Sequence, residues 1–289
     1  MKEKTAIILL LAPFGLLMAV VAAAVGNVLV QSVGYIPAFG LTKPTLDYYL
    51  QVFTRADFLS AVWVSLRIAL FSSVLSCILG VLVSMALIRC GKTRGGILYA
   101  IRAPILVPHA VVAVFIIQLL SQNGLAARVG FALGLLEDSA QFPQLLYTPG
   151  YWGTILAYLW KEIPFVAYFV LAFMSSISAT LGEAAENLGA SPLRSFFLIT
   201  LPLSLPVIGK AFLILFIFAF GGYELPLLLG STLPKALPVQ AYLSYMDPNL
   251  LNRPLAMAMN NVILLLSFGM ALLYWIAMHG FVKKVGGIR

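Results

Sequence analysis

The chain has 289 residues, 62% of them hydrophobic and 10% charged, with a formal net charge of +8 and a mean hydropathy of +1.01. A water-soluble domain carries roughly 25% charged residues, so this composition cannot cover a soluble surface, and it excludes soluble-enzyme and disordered classes. The basic excess does not argue for nucleic acid either, because the 18 Lys and Arg residues are scattered between apolar blocks and form no stripe. What remains is an all-α integral membrane protein, a single domain over residues 1–289.

In chain order the apolar blocks predict six transmembrane helices, each needing about 20 apolar residues. The first, residues 5–33, follows Lys2 and Lys4. It is much longer than the apolar core of about 7–15 residues in a signal peptide, so it reads as an uncleaved span, with Ala22-Ala23-Ala24 leaving cleavage as the alternative. The second covers residues 68–88. The third covers 103–120, with Pro104 and Pro108 at its start, where proline suits the first turn of a helix. Residues 121–151 then form a loop long enough for a short helix around 126–136. The fourth span, 152 to about 177, is interrupted by Lys161-Glu162; the fifth, about 203–220, surrounds Lys210; the sixth, 255–281, has no charge.

Lys and Arg accumulate in short cytoplasmic loops. With the N-terminus inside, the inner segments hold Lys2, Lys4, Arg89, Lys92, Arg94, Arg102, Arg194, Lys283, Lys284 and Arg289, and the outer ones Lys43, Arg55, Arg128, Lys235 and Arg253. Ten against five places both termini in the cytoplasm. Gly91-Lys92-Thr93 has the tail of a nucleotide-binding loop, but Ala86 stands where the earlier glycine is required and a membrane span precedes it instead of a strand. Cys77 and Cys90 give no disulfide framework, and His109 and His279 have no partner at ligand spacing, so no metal site is expected and both histidines read as packing or interfacial residues. With no nucleophile elbow and no spaced acid pair, enzyme chemistry has no support.

The segment 178–206 is the most informative. Thr180 and Glu183 have capping-box spacing, which predicts a short helix from Leu181 through Leu188, closed by Gly189. Ser191-Pro192 supplies a second N-cap with proline at the first position, and a second helix continues to Ile199, before Leu201-Pro202 opens the next span. Small Ala184 and Ala185 permit close approach of another surface, rimmed by the carboxylates of Glu183 and Glu186.

Glu183, Ala184, Ala185, Gly189, Ile199, Leu201 and Pro202 stand at every fixed position of a known pattern. The segment resembles the EAA loop of inner-membrane permease subunits of binding-protein-dependent ABC importers, and a looser likeness extends over residues 65–281. The resemblance implies the type I ABC importer permease fold, with a five-span core over about 60–281 and a cytoplasmic coupling loop over about 178–202. It also implies that the coupling helix docks on a separate ABC ATPase, present in two copies. ATP and Mg would be held there, and this chain would hold no cofactor. A second permease subunit, identical or homologous, an extracytoplasmic solute-binding protein and a bacterial inner membrane complete the expected setting.

Two sites at membrane depth are candidates for the substrate path. Lys161-Glu162 lies about 12 Å into the fourth span at 1.5 Å per residue, and intramembrane charges face cavities or partners. Pro164 nearby allows a kink. At the outer end of the fifth span Gly221-Gly222-Tyr223-Glu224 breaks the helix and sets Glu224 near the outer leaflet. Asn260 and Asn261 add the amides of the last span, with hydrogen bonding across helices as their other reading. The first two sites resemble the polyamine, iron(III) and aminophosphonate branch of importer permeases. Carboxylates at this depth favour an amine-bearing solute such as a polyamine. The alternatives are a stand-alone secondary transporter, which would show inverted repeats with broken helices, and an intramembrane enzyme.

Overall fold

The computed structural model describes residues 2–286. Arg289 lies outside the described residues, as do the side chains of Lys2, Lys4, His279, Lys283 and Lys284. The helices in chain order are α1 (Lys2–Ser32), α2 (Asp47–Thr54), α3 (Phe58–Arg89), α4 (Gly96–Leu106), α5 (His109–Leu120), α6 (Leu125–Ala132), α7 (Trp152–Ile177), α8 (Glu183–Asn187), α9 (Pro192–Ser195), α10 (Leu201–Gly221), α11 (Glu224–Leu229), α12 (Leu237–Tyr245) and α13 (Arg253–Gly286). Two π-helical segments, Ser178–Gly182 and Phe196–Thr200, join α7 to α8 and α9 to α10. The results are two continuous rods, Trp152–Asn187 and Pro192–Gly221. Among the described residues six helical stretches are long and apolar enough to cross a membrane, which is the expected number.

The chain divides into two compact units. One comprises Met1–Leu59 with Gln240–Leu266. There the Tyr49 hydroxyl lies 2.7 Å from the Ser32 hydroxyl and accepts from the Asn261 amide at 3.0 Å, tying α1, α2 and α13 together. Asn261 is buried in this knot and Asn260 is exposed, so the helix-bonding reading holds for Asn261. The described part of α1 presents Leu9, Leu10, Phe14 and Leu16 outward. A helix that is apolar all round is one whose surroundings are lipid or membrane protein.

The second unit is Ser60–Val239 with Ser267–Arg289. Its core interleaves Cys77 and Val81 of α3 with Val166, Val170 and Met174 of α7, Phe196, and Ala211 and Leu215 of α10. Where α3 meets α7 the approach is close enough that a Cβ on Gly80 would stand 2.6 Å from that of Val166, and Ser84 donates to the Ala167 carbonyl at 2.9 Å. A small residue and a hydroxyl are the usual means of bringing two apolar helices together where burial from water supplies no drive.

Several boundaries differ from the sequence reading. The second span begins at Phe58, ten residues earlier, because Arg67 does not end it: its guanidinium is absorbed by the Pro149 carbonyl. The third begins later, at His109, because Gly96–Leu106 forms a separate short helix, α4, with Pro104 inside it and an extended Val107 (ψ 128°) before Pro108. Pro104 therefore does not mark the start of a helix, whereas Pro108 stands at the N-cap of α5. Pro108 lacks the N–H needed to continue one, and the span is broken there. Arg102, assigned to a loop, is inside α4, its guanidinium carbon 3.7 Å from the ring centroid of Tyr168. The short loop helix is α6, and α7 runs on through Pro164.

Candidate functional site

The turn between the two rods closes by local rules. Gly189 has φ +95°, its amide donates to the Glu186 carbonyl at 2.9 Å, and the Ala190 amide donates to the Ala185 carbonyl at 3.0 Å. This Schellman pair satisfies carbonyls that the end of α8 would leave open. Ser191 caps the returning helix, its hydroxyl accepting from the Arg194 amide at 3.3 Å, with Pro192 at the first position. The buried Ser195 hydroxyl donates to the Gly182 carbonyl at 3.1 Å and fastens one rod to the other. Glu183, Ala184 and Glu186 are exposed, as is Pro202; Ala185, Ile199 and Leu201 are half-buried. Leu188 at the tip is 91% exposed.

The predicted capping box is absent. Thr180 lies within the π-helical segment, where its hydroxyl donates back to the Ser176 carbonyl at 3.0 Å. The reason is that α7 does not stop. The amides at the start of α8 face carbonyls of a helix already running, so none is left for a side chain to cap.

The second focus lies where two spans break. Adjacent residues on an α-helix point about 100° apart, and Lys161 and Glu162 use that difference: they do not pair. Lys161 donates its ammonium protons to the Val107 carbonyl at the broken end of α4. Glu162 turns to α3, accepts from the Ser76 hydroxyl at 3.0 Å and is only 3% exposed. Glu224 opens α11 just after the break at Gly221-Gly222, and one of its carboxylate oxygens lies 2.8 Å from Nδ1 of His109, the first residue of α5. The two broken spans are therefore joined at their breaks. Tyr223 sits at the N-cap of α11. Gly222 has no room for a side chain, since a Cβ would run into the Tyr158 hydroxyl.

His109 is the residue that the sequence reading passed over. Its ring packs against Phe218 (centroids 5.5 Å) and Tyr158 (6.4 Å), and Nε2 is buried with no hydrogen-bond partner. The charges also suit the helix ends. A cation at the carboxyl end of α4 and an anion at the amino end of α5 each face the opposite partial charge of the half-helix. Of the sequence candidates, Lys161 and Glu224 belong to this cluster; Glu162 is sealed into the α3–α7 contact, and Asn261 serves the other unit.

Residues 77–279 match the family described as binding-protein-dependent transport system inner membrane component. Among curated relatives, a putrescine transport system permease protein of Escherichia coli (strain K12) is 28% identical over 171 residues, covering 58% of this chain and 55% of its own length. An sn-glycerol-3-phosphate transport system permease protein of Yersinia pestis bv. Antiqua (strain Antiqua) is 30% identical over 208 residues, covering 68% and 66%. The chain thus spans between half and two thirds of the relatives it matches. The fold is that of a solved bacterial ABC transporter involved in import of the acidic polysaccharide alginate, with TM-score 0.77, 18% identity and 98% of both chains covered. It also resembles an inward-facing methionine ABC transporter, with TM-score 0.53, 20% identity and coverage of 78% and 95%. The matched segment contains both rods, the turn between them and the two broken spans, so the six apolar helices are those of a multi-pass inner-membrane protein. The chain belongs to the binding-protein-dependent transport system inner membrane component family.

Proposed function

We propose that the chain is the permease subunit of an ATP-driven importer and forms half of the translocation path for a small polar solute. In this reading it works with a second permease, identical or homologous, and two ABC ATPase subunits that hold ATP and Mg. An extracytoplasmic solute-binding protein delivers the solute. Both termini and the segment 179–200 lie in the cytoplasm, a reading supported by the excess of Lys and Arg on that side, and residues 1–289 act as one permease domain.

The observation that carries this reading is the continuity of the two rods. Trp152–Asn187 holds Lys161 at one end region and the Glu183-Ala184-Ala185 surface at the other; Pro192–Gly221 leads from the same turn to the break before Glu224. A push on the turn is transmitted along both rods to the two contacts that join the broken spans. Glu183, Glu186, Ala184 and Gly189 form the docking surface, while half-buried Ile199 and Leu201, followed by Pro202, set the root of the returning rod. The π-helical segments flank the turn, where a looser hydrogen-bond ladder allows it to tilt. Broken spans also occur in secondary transporters, but that reading leaves the exposed turn without a role.

The test is purification from a membrane that expresses the whole transport operon. A stoichiometric ATPase should accompany the wild-type chain, and mass measurement should show two permease chains per complex. Full transport by a lone chain without an ATPase would refute the proposal.

A further inference from the structure

The His109–Glu224 contact has an asymmetry that bears on what the site takes. His109 is held on α5 with its ring wedged against Tyr158 and Phe218, and Lys161 belongs to the long rod Trp152–Asn187. Both basic groups therefore sit on long, packed elements. Glu224 sits on the six-residue α11, set off from α10 by Gly221-Gly222, and its side chain is half exposed. The basic wall is fixed, while the Glu224 carboxylate stands half exposed on a short helix anchored by buried Leu225 and Leu229.

We propose that His109, Lys161 and the amino end of α5 form a binding site for an anionic group of the transported solute, of the carboxylate, sulfate or phosphate class, and that the Glu224 carboxylate is its resident stand-in. This rests on the permease reading above and names the chemistry of its solute. An oxyanion taking the place of Glu224 keeps the same Nδ1 contact on His109 and the same favourable position at the amino end of a twelve-residue helix. It also meets Lys161, whose ammonium is anchored on Val107, two residues before His109.

An amine fits less well. Of the two carboxylates that favoured one in the sequence, Glu162 is spent on Ser76, and one oxygen of Glu224 is already engaged by His109. The incoming ammonium would then lie beside Lys161, a like charge.

The test uses the full-length chain, purified with its partner subunits and titrated with sodium phosphate, sodium sulfate and putrescine while the thermal midpoint is followed. Glu224→Gln removes the stand-in, so phosphate or sulfate should stabilise it with an apparent affinity at least tenfold higher than for the wild type. Adding Lys161→Gln should abolish that gain, and putrescine should have no effect on any of them. If Glu224→Gln is not recovered, Glu224→Asp, which draws the carboxylate back from His109, should show the same gain. Stabilisation of the wild type by putrescine that disappears in Glu224→Gln would overturn the proposal in favour of an acidic site. Equal anion effects on wild type and variant would overturn it as unspecific salt binding. ATPase retention on the same preparations reports separately on the importer reading.

Discussion

The Ser195 hydroxyl donates to the Gly182 carbonyl at 3.1 Å, thirteen residues away, and is buried where the two rods approach the turn. A Cβ on Gly182 would stand 3.3 Å from that hydroxyl oxygen, so there is little room for anything else between them. Ser195→Ala should cost about 1 kcal/mol as the bond is lost, while keeping the packing. Ser195→Leu should push the rods apart. We expect Ala to lower uptake modestly and Leu to abolish it, with ATPase retention falling in the same order and membrane abundance largely kept. Normal uptake by the Leu variant would show that the rods need not be fastened for coupling.

Gly189 tests the turn itself. Its φ of +95° is a region that side chains enter at a cost of about 1–3 kcal/mol, and asparagine tolerates left-handed backbone better than any β-branched residue. Gly189→Val should therefore lose uptake while inserting normally, and Gly189→Asn should retain part of it. Nothing stands within 4 Å of a Cβ there, so the difference measures backbone conformation rather than crowding. Glu183→Lys should also weaken ATPase retention, now through reversed charge alone, since Glu183 belongs to no capping box.

How much of this could be read in advance depends on how local the determinant is. The six spans follow from runs of apolar residues, and the closure of the turn follows from Gly189 and Ser191-Pro192, whose roles depend only on immediate neighbours. Thr180 failed because a capping box presupposes a free helix start, and the rod from Trp152 leaves none. Arg67 is tolerated within a span because one carbonyl, on Pro149, takes up its guanidinium, a contact no local pattern reveals. Pro108 was legible as the start of α5, but the separate helix α4 before it was not. The His109–Glu224 contact joins residues 115 apart. Its one sequence signal is that each follows a helix-breaking residue, Pro108 for one and Gly221-Gly222 for the other.

Topology can be checked with the chain's own thiols. Cys77 is buried and Cys90 is exposed at the end of α3. With the turn in the cytoplasm, Cys90 shares its side of the membrane with Ser191. An impermeant maleimide should label neither Cys90 nor Ser191→Cys in intact cells and should label both in inverted vesicles. Labelling of Ser191→Cys in intact cells would reverse the orientation.

Acid sensitivity should appear at Asp57. Its carboxyl is held below the usual carboxylate range, first by the hydrogen bond from Arg55 at 3.0 Å and its positive charge, with a smaller contribution from Gln240. A depressed folded pKa contributes stability above the unfolded value, about 3.9, and that contribution disappears as pH falls through the folded value. Arg55→Gln should thus lower the thermal midpoint at neutral pH and converge with the wild type once Asp57 is protonated in both. A constant difference down to the acid limit would assign the effect to packing. The pair is partly exposed, so the shift should be small and should shrink in high salt.

The break that carries Glu224 has no spare room. Gly222 lies against Tyr158, and a methyl group there would collide with the Tyr158 hydroxyl while standing 3.1 Å from the Phe218 carbonyl. Tyr158 is itself fully buried on α7 and forms one wall for the His109 ring. Gly222→Ala must therefore displace either Tyr158, and with it His109, or the start of α11, and with it Glu224. Uptake should fall by an order of magnitude or more, although neither charged residue has been touched. Tyr158→Phe removes the colliding oxygen and keeps the ring, so Gly222→Ala with Tyr158→Phe should recover most of the loss. The carbonyl of Phe218 still crowds the methyl group, so recovery should be incomplete. Measuring uptake and membrane abundance for both single variants and the double variant yields the coupling between the two positions. Strictly additive losses would mean that Gly222 acts through backbone flexibility at the break, not through its contact with Tyr158.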